Sequence, residues 1–476
     1  MQNLYDKLKA YGDSDYYGFH MPGHKRNPDI TGAGLPYEID ITEIEGFDDL
    51  HHADGILVDA QKRAAQVYHA DETHFLVNGS TVGILSAISG STKKGDTILV
   101  ARNCHKSVYH AIYMNELNPV YLYPEFDTEK HLNTEISVQD VRDALEAHPD
   151  IRAVMIVSPT YDGVVSDVEA IAESAHEKGI PLIVDEAHGA HFGFHPYFPE
   201  SANKKGADIV INSLHKTLPS LTQTAILHMN GDLVNRRKVR KYLDMLQSSS
   251  PSYVLMASID ACIELLAEKR EEIFNSYADI LADARKRLGE LKHLQIIETE
   301  HYDPSKIVIS VKDSQMKSRE LYWRLLNDYH LQMEMVAGTY VIAMTSVGDT
   351  KEGMDRLVNA LLELDQEAGE RKMDSFEESV GRMIHQEVVY SSAEMEHMLD
   401  EVQENQKKCL KMLSWSDSIG YISTEYAYLY PPGCPLIVPG ERISKEAVDM
   451  LMWYDRQDFS VEGLKKEKYI EVWMDG

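Results

Sequence analysis

Residues Pro181 to His188 read P-L-I-V-D-E-A-H and residues Asp208 to Lys216 read D-I-V-I-N-S-L-H-K. Each is a short apolar run, too short for a helix, that ends abruptly in polar residues able to do chemistry. Further runs of the same kind lie at Thr73 to Val77, Thr97 to Ala101, Ile151 to Val157 and Thr224 to His228, with helix-like segments between them. The runs are nearly continuous in Val, Ile and Leu, as expected of strands covered by helices on both faces. The rhythm predicts an α/β fold around a mostly parallel sheet.

Beyond Arg237 the pattern changes. Tyr253 to Leu291 has helical spacing over a length that exceeds one link of a compact sheet, and it reads as a bridge to a second unit. Lys306 to Val311 and Thr339 to Ser346 read as strands, with Glu352 to Glu363 as a helix on them, so a smaller α+β C-terminal domain is expected. Met373 to Met412 reads as charged and helical, and a Pro and Gly cluster at Tyr430 to Gly440 interrupts the final segment. The expected division is an N-terminal arm (1–30), a large domain with its bridging helix (31–290) and the C-terminal domain (291–476).

The chain has 77 Asp and Glu against 47 Lys and Arg, and a net charge of -30 repels a phosphate backbone, which argues against nucleic-acid binding. Cys104, Cys262, Cys409 and Cys434 form no C-x-x-C pair, so neither a zinc ribbon nor a disulfide framework is expected. Charged residues from Asp6 to Asp15 occupy the place of a signal-peptide apolar run, and no stretch approaches the ~18 apolar residues of a membrane span. A cytoplasmic protein follows as the expectation.

Ligands of open α/β sheets bind beyond the carboxyl ends of the strands, where Asp185 and Lys216 both fall. A strand-end Lys can form a Schiff base and an Asp from a nearby strand can keep a pyridine nitrogen protonated, which are the protein parts needed by a pyridoxal phosphate enzyme. L-V-N-G-S-T, Leu76 to Thr81, runs from a strand through a Gly turn into a helix, and its free amides with Ser80 and Thr81 suit the cofactor phosphate as well as an ordinary helix cap. Ser213 and His215 flank Lys216 and add donors at the same edge. His105, after the strand ending at Ala101, is placed to stack on the cofactor ring, and Thr160 is a weaker candidate for the ring oxygen. His188 and His191 invite a metal reading, but no H-E-x-x-H or Cys spacing supports one. No G-x-S-x-G elbow or Walker loop occurs.

Together these residues resemble the ornithine/lysine/arginine decarboxylase family, bacterial pyridoxal-phosphate enzymes with an aspartate-aminotransferase-like fold. The resemblance rests on H-M-P-G-H-K at His20 to Lys25, D-I-T-E at Asp40 to Glu43, N-G-S-T at Asn78 to Thr81, R-N-C-H-K-S at Arg102 to Ser107 and P-T-Y-D-G at Pro159 to Gly163. It continues through D-E-A-H-G-A-H at Asp185 to His191, S-L-H-K-T-L-P-S-L-T-Q at Ser213 to Gln223 and Y-P-P-G-C-P-L-I-V-P-G-E at Tyr430 to Glu441. It implies that Lys216 bonds the cofactor, Asp185 meets its ring nitrogen, Ser80, Thr81, Ser213 and His215 hold its phosphate, His105 stacks on the ring and His188 lies near the reacting atoms. Two positions depart from the family motif: Ile211, where a small residue is usual, and Pro219.

The chain starts almost directly at the arm that precedes the catalytic domain, without the N-terminal wing domain of larger members. The resemblance then implies a homodimer or dimer of dimers with the active site at the subunit interface, where Gln247 to Tyr253 resembles a segment reaching the neighbouring cofactor. It implies α-decarboxylation of a basic amino acid: arginine first, because wingless members are often arginine decarboxylases, then lysine or ornithine. An acidic residue of the C-terminal domain is expected to bind the distal cation, Glu425 before Glu441. Two alternatives stay open on the residues alone, an aminotransferase using the same Lys and Asp, and an inactive paralogue with a regulatory role.

Overall fold

The computed structural model describes residues 15–19, 43, 48–371, 380–405, 409–429 and 433–474. The motifs at residues 20–25 and 40–42, most of the 1–30 arm and residues 430–432 lie outside them.

The centre of the molecule is a seven-stranded sheet built from β1 (Glu72–Leu76), β2 (Thr97–Ala101), β3 (Asn118–Leu122), β4 (Ile151–Val157), β5 (Leu182–Asp185), β6 (Ile209–Asn212) and β7 (Ala225–Met229), in the order β1-β7-β6-β5-β4-β2-β3. From β6 to β3 every pairing is parallel, while β7 runs antiparallel to both β6 and β1. The link between β6 and β7 holds only a four-residue helix, not the crossover helix that a parallel neighbour requires. β3 was absent from the expected strands: N-P-V-Y-L carries a proline and half-exposed residues, which suits the edge it occupies.

Side chains alternate between two cores. Leu76, Ala225 and Leu227 enter one, while Phe75, Val77 and Ile226 enter the other. The helix α1 (Gly79–Ser91) sits on the first face, and Gly83 lets it come close, since a Cβ there would lie 2.7 Å from the Leu76 side chain and 3.1 Å from that of Ile211. Ile211 therefore fills space that Gly83 vacates, which accounts for a large residue at that position of the motif. Further on come α2 (Lys106–Met114), α3 (Leu214–Thr217) and the 36-residue α4 (Tyr253–Leu288), whose apolar stripe from Tyr253 to Leu288 packs in the second core.

Three separate sheets are built wholly from the described residues after 290, the smallest formed by Cys434–Ile437, Ala427–Leu429 and Val461–Glu462. The first, from β8 (Gln295–Ile297), β9 (Lys306–Ser310), β10 (Met335–Val336) and β11 (Tyr340–Met344), has the order β8-β9-β11-β10. The second, of five strands, is formed by short segments between Glu387 and Trp473. The stretch from 373 to 412, expected as helical, contains strands at Glu387–Val388 and Leu410–Ser414 around the helix Ser392–Asn405. These strands are fixed by pairing with Glu441–Arg442 and Tyr469–Trp473, partners far along the chain that local periodicity does not register.

Candidate active site

A cavity of about 410 Å³ opens beyond the carboxyl ends of β4, β5 and β6. Ser80, Thr81, His105, Thr160, Asp185, His188, Ser213, His215 and Lys216 all line it. These are the nine residues singled out for the cofactor, brought together from five separate stretches of chain.

Lys216 lies on α3, directly after β6, and its Nζ is 2.8 Å from His188 Nε2. Burial lowers the Lys216 ammonium to about 8, opposed by the carboxylates of Asp185 and Glu334 and aided by Lys306. The amine is thus partly uncharged near neutrality, as a nucleophile requires. His188 is held well below the usual imidazole range, first by burial and then by the charges of Lys216 and Lys306, so the neutral ring accepts from the lysine. Its Nδ1 has no hydrogen-bond partner among the described residues.

Asp185 ends β5 and is buried, and its Oδ1 accepts from the Ala187 amide at 3.1 Å. Burial raises its carboxyl, with Lys216 and the Ala187 amide pulling the other way. No ion pair reaches it among the described residues, so it fits a cationic ring nitrogen. At the opposite wall the start of α1 offers free amides. Its Asn78 cap residue makes no side-chain cap bond, Gly79 takes φ 74°, and the Ser80 hydroxyl lies 2.6 Å from that of Ser213. Two hydroxyls and a helix start are the donor set a phosphate takes.

His215 donates from Nδ1 to the Thr224 carbonyl at 2.9 Å, and burial holds the ring at about 4. Its Nε2 can donate to an anion only when protonated, a state that a bound phosphate itself favours. His105 caps α2, its Nδ1 accepting from the Ser107 amide at 3.2 Å, and burial lowers it to about 4, leaving a flat neutral ring at the cavity wall. Thr160 accepts the Val164 amide on its Oγ1 at 3.0 Å, within the turn that follows β4.

The two carboxylates expected to meet the substrate do not reach the cavity. Glu425 is buried, with Oε1 accepting from the Lys465 amide at 2.8 Å and Oε2 from the Glu471 amide at 2.6 Å. Glu441 is buried against Arg102, 3.2 Å away, and also accepts the Val438 amide at 2.8 Å. Both are spent on holding the C-terminal strands and the 433–438 segment in place. His188 and His191 also diverge: His191 Nε2 lies 3.0 Å from Asp303 Oδ1, beneath the cavity and away from Lys216. Ser248 is exposed, and its amide donates to Asn78 Oδ1 at 3.0 Å, so the 247–253 segment lies beside the start of α1 of its own chain.

Two acidic residues of the site were not foreseen. Glu334, just before β10, accepts from the Tyr161 hydroxyl, and Asp162 in the cavity wall accepts from the Tyr340 hydroxyl at 2.7 Å. Burial raises Asp162 to about 6, the Tyr340 bond acting against it. The P-T-Y-D-G motif contained Asp162, but its partner comes from β11, some 180 residues on, and nothing local marks it.

A strand-end lysine beside a histidine, a strand-end aspartate without a cation and a helix start rich in donors define a pyridoxal-phosphate enzyme of the aspartate-aminotransferase-like class. Residues 2–355 match the family described as Orn/Lys/Arg decarboxylase, major domain, and residues 383–467 its C-terminal domain. The chain belongs to this family of pyridoxal-phosphate-dependent amino-acid decarboxylases. It is 35% identical to the uncharacterized protein YaaO of Bacillus subtilis, covering 99% of this chain and 98% of that one, and 32% identical to the arginine decarboxylase of the same organism, over 94% and 92%. Among solved structures, the lysine decarboxylase LdcF of Francisella novicida superposes with a TM-score of 0.76 at 19% identity, over 99% of this chain and 80% of that one. No described helix is long and apolar enough to cross a membrane.

Proposed function

We propose that this enzyme removes the α-carboxylate of a basic amino acid, with arginine (to agmatine) ahead of lysine (to cadaverine) and ornithine (to putrescine). The observation that carries the reading is the Lys216–His188 contact of 2.8 Å in the same cavity as the unpaired Asp185 and the start of α1. The ranking of arginine is supported by relatives named arginine decarboxylase at 31–32% identity over more than 90% of the chain. Lys216 is the residue that bonds the cofactor, Asp185 the partner of its ring nitrogen, and Ser80, Thr81, Ser213 and His215 the holders of its phosphate. His105 takes the ring face and Thr160 the ring oxygen.

When bound, pyridoxal phosphate supplies the electron sink for the pair left by the departing carboxylate. The chain's own contribution is proton management and exclusion of water. Lys216 lies 2.8 Å from His188, and with cofactor and substrate bound the pair would share a proton that either could return to Cα. The Ala187 amide donates to Asp185 Oδ1, and the carboxylate so held would face the cofactor's ring nitrogen.

A homodimer or dimer of dimers in the cytoplasm completes the reading, supported by the family and by four cysteines that are all free. The experiment is to measure carbon dioxide release from arginine, lysine and ornithine separately, with the cofactor-loaded protein and no 2-oxo acid. Release from arginine above the other two is expected. Release from none of the three overturns the reading, and turnover that requires a 2-oxo acid assigns an aminotransferase.

A further inference from the structure

We infer that Asp162 is the residue that binds the distal cation of the substrate, in the cavity that Lys216, Tyr340, Tyr454 and Cys434 also line. The inference rests on the substrate being a basic amino acid, as proposed above.

The position of Asp162 is built with care by the fold. The turn after β4 is closed by the Gly163 amide on the Thr160 carbonyl at 3.0 Å and is tied to the layer below by the Asp303 amide on the Gly163 carbonyl at 2.7 Å. Gly163 takes φ 92°, and a Cβ there would lie 3.0 Å from the Lys306 side chain, so the turn is pressed against β9 with no room to shift. One carboxylate oxygen of Asp162 accepts the Tyr340 hydroxyl at 2.7 Å. Tyr454 and Cys434 line the same cavity.

No cation completes this arrangement among the described residues. The salt bridges of the chain leave Asp162 out, whereas the buried Glu441 has Arg102 and the buried Asp303 has Lys306. Arg382, which also lines the cavity, stacks instead over Phe126 at 5.5 Å. A carboxylate sunk into an apolar and aromatic wall with no counter-ion is costly unless the ligand supplies one. Two carboxylates line the cavity among the described residues, Asp185 and Asp162, and with Asp185 given to the ring nitrogen Asp162 is the one left for a distal cation. Glu334 is engaged by Tyr161. Tyr340 and Tyr454 add ring faces that favour an ammonium or guanidinium over a neutral group.

The test uses the cofactor-loaded enzyme and two kinds of amine probe. Agmatine, cadaverine and putrescine carry a distal cation, and pentylamine and butylamine do not. Calorimetric binding is expected to favour the best dication over its matched monoamine by about 30-fold or more, as removal of a buried charge partner predicts. Asp162→Asn should abolish that preference while leaving monoamine affinity and the visible absorbance of the bound cofactor unchanged. Tyr340→Phe keeps the carboxylate and should keep most of the preference, which guards against a misfolded Asn variant. Retention of the dication preference in Asp162→Asn overturns the assignment, as does equal loss of both kinds of probe. Carbon dioxide release by the wild type tests the basic-amino-acid reading separately, so a protein that releases none but loses its dication preference on Asp162→Asn refutes that reading and upholds Asp162.

Discussion

Two clusters of the same three residue types lie one above the other. In the cavity are Asp185, His188 and Lys216, and beneath them are Asp303, His191 and Lys306. In the lower set the carboxylate is saturated: Asp303 accepts from His191 at 3.0 Å, from Lys306 at 3.1 Å, and from the Ser305 hydroxyl and amide at 2.6 and 2.9 Å. Lys306 also donates to the His188 carbonyl at 3.3 Å, so the lower cluster carries the upper one. The upper set is left short. Asp185 accepts one amide, and although Nδ1 of both His188 and His191 lacks a partner among the described residues, His188 lines the cavity and His191 does not. The same residue types serve structure where the carboxylate's hydrogen bonds are used up and serve reaction where its capacity is left over and open to a cavity.

The comparison breaks most visibly at Lys216. Lys216→Ala should lower carbon dioxide release on the order of 10⁴-fold or more and remove the visible absorbance of covalently held cofactor. Unchanged absorbance would show that another lysine bonds the cofactor.

Next in size is Asp303→Asn, which should leave Lys306 buried without its counter-charge and cost about 3–5 kcal/mol of stability, read from the denaturant midpoint. Burial alone would raise the Asp303 carboxyl, but His191 and Lys306 hold it well below the ordinary range. Its stabilising effect is therefore present above the carboxylate value of the unfolded chain and is lost as pH falls through the lower, folded one. The wild type should lose stability in acid more steeply than the variant, and parallel acid profiles would dismiss the pair as a source of stability.

Asp185→Asn should fold normally yet lose about 30- to 150-fold in turnover, the worth of one buried charged hydrogen bond. The rate at which the apoenzyme takes up pyridoxal phosphate should rise with pH with a midpoint near 8, because only the uncharged Lys216 amine attacks. Removing the Asp185 carboxylate, which stabilises the ammonium, should move that midpoint to lower pH. A midpoint that stays near 8 or rises would mean that the Asp185 charge does not reach Lys216.

The smallest effect belongs to Glu425. Glu425→Gln turns an acceptor of a backbone amide into a donor and should cost about 1–3 kcal/mol of stability. The KM for arginine, lysine and ornithine should stay where it is. A rise in any of the three would restore Glu425 to the substrate site.

Much of the upper cluster is legible locally. A buried strand must be apolar until it leaves the sheet, so the first polar residues after it mark the ligand edge, and Asp185 and Lys216 are those residues. The Gly turn before Ser80 is visible for the same reason, since a helix start needs donors free and a backbone able to take positive φ. The sequence by itself determined the parallel core, the strand-end Asp and Lys, and the phosphate-suited start of α1, because each follows from periodicity or turn chemistry within a few residues. Only the tertiary structure decided the fate of the carboxylates. Glu441 meets Arg102 across the chain, Glu425 is spent on the amides of 465 and 471, and Asp162 meets Tyr340 and, among the described residues, no cation. Whether a buried charge is neutralised depends on partners hundreds of residues away, and no local pattern encodes that distance.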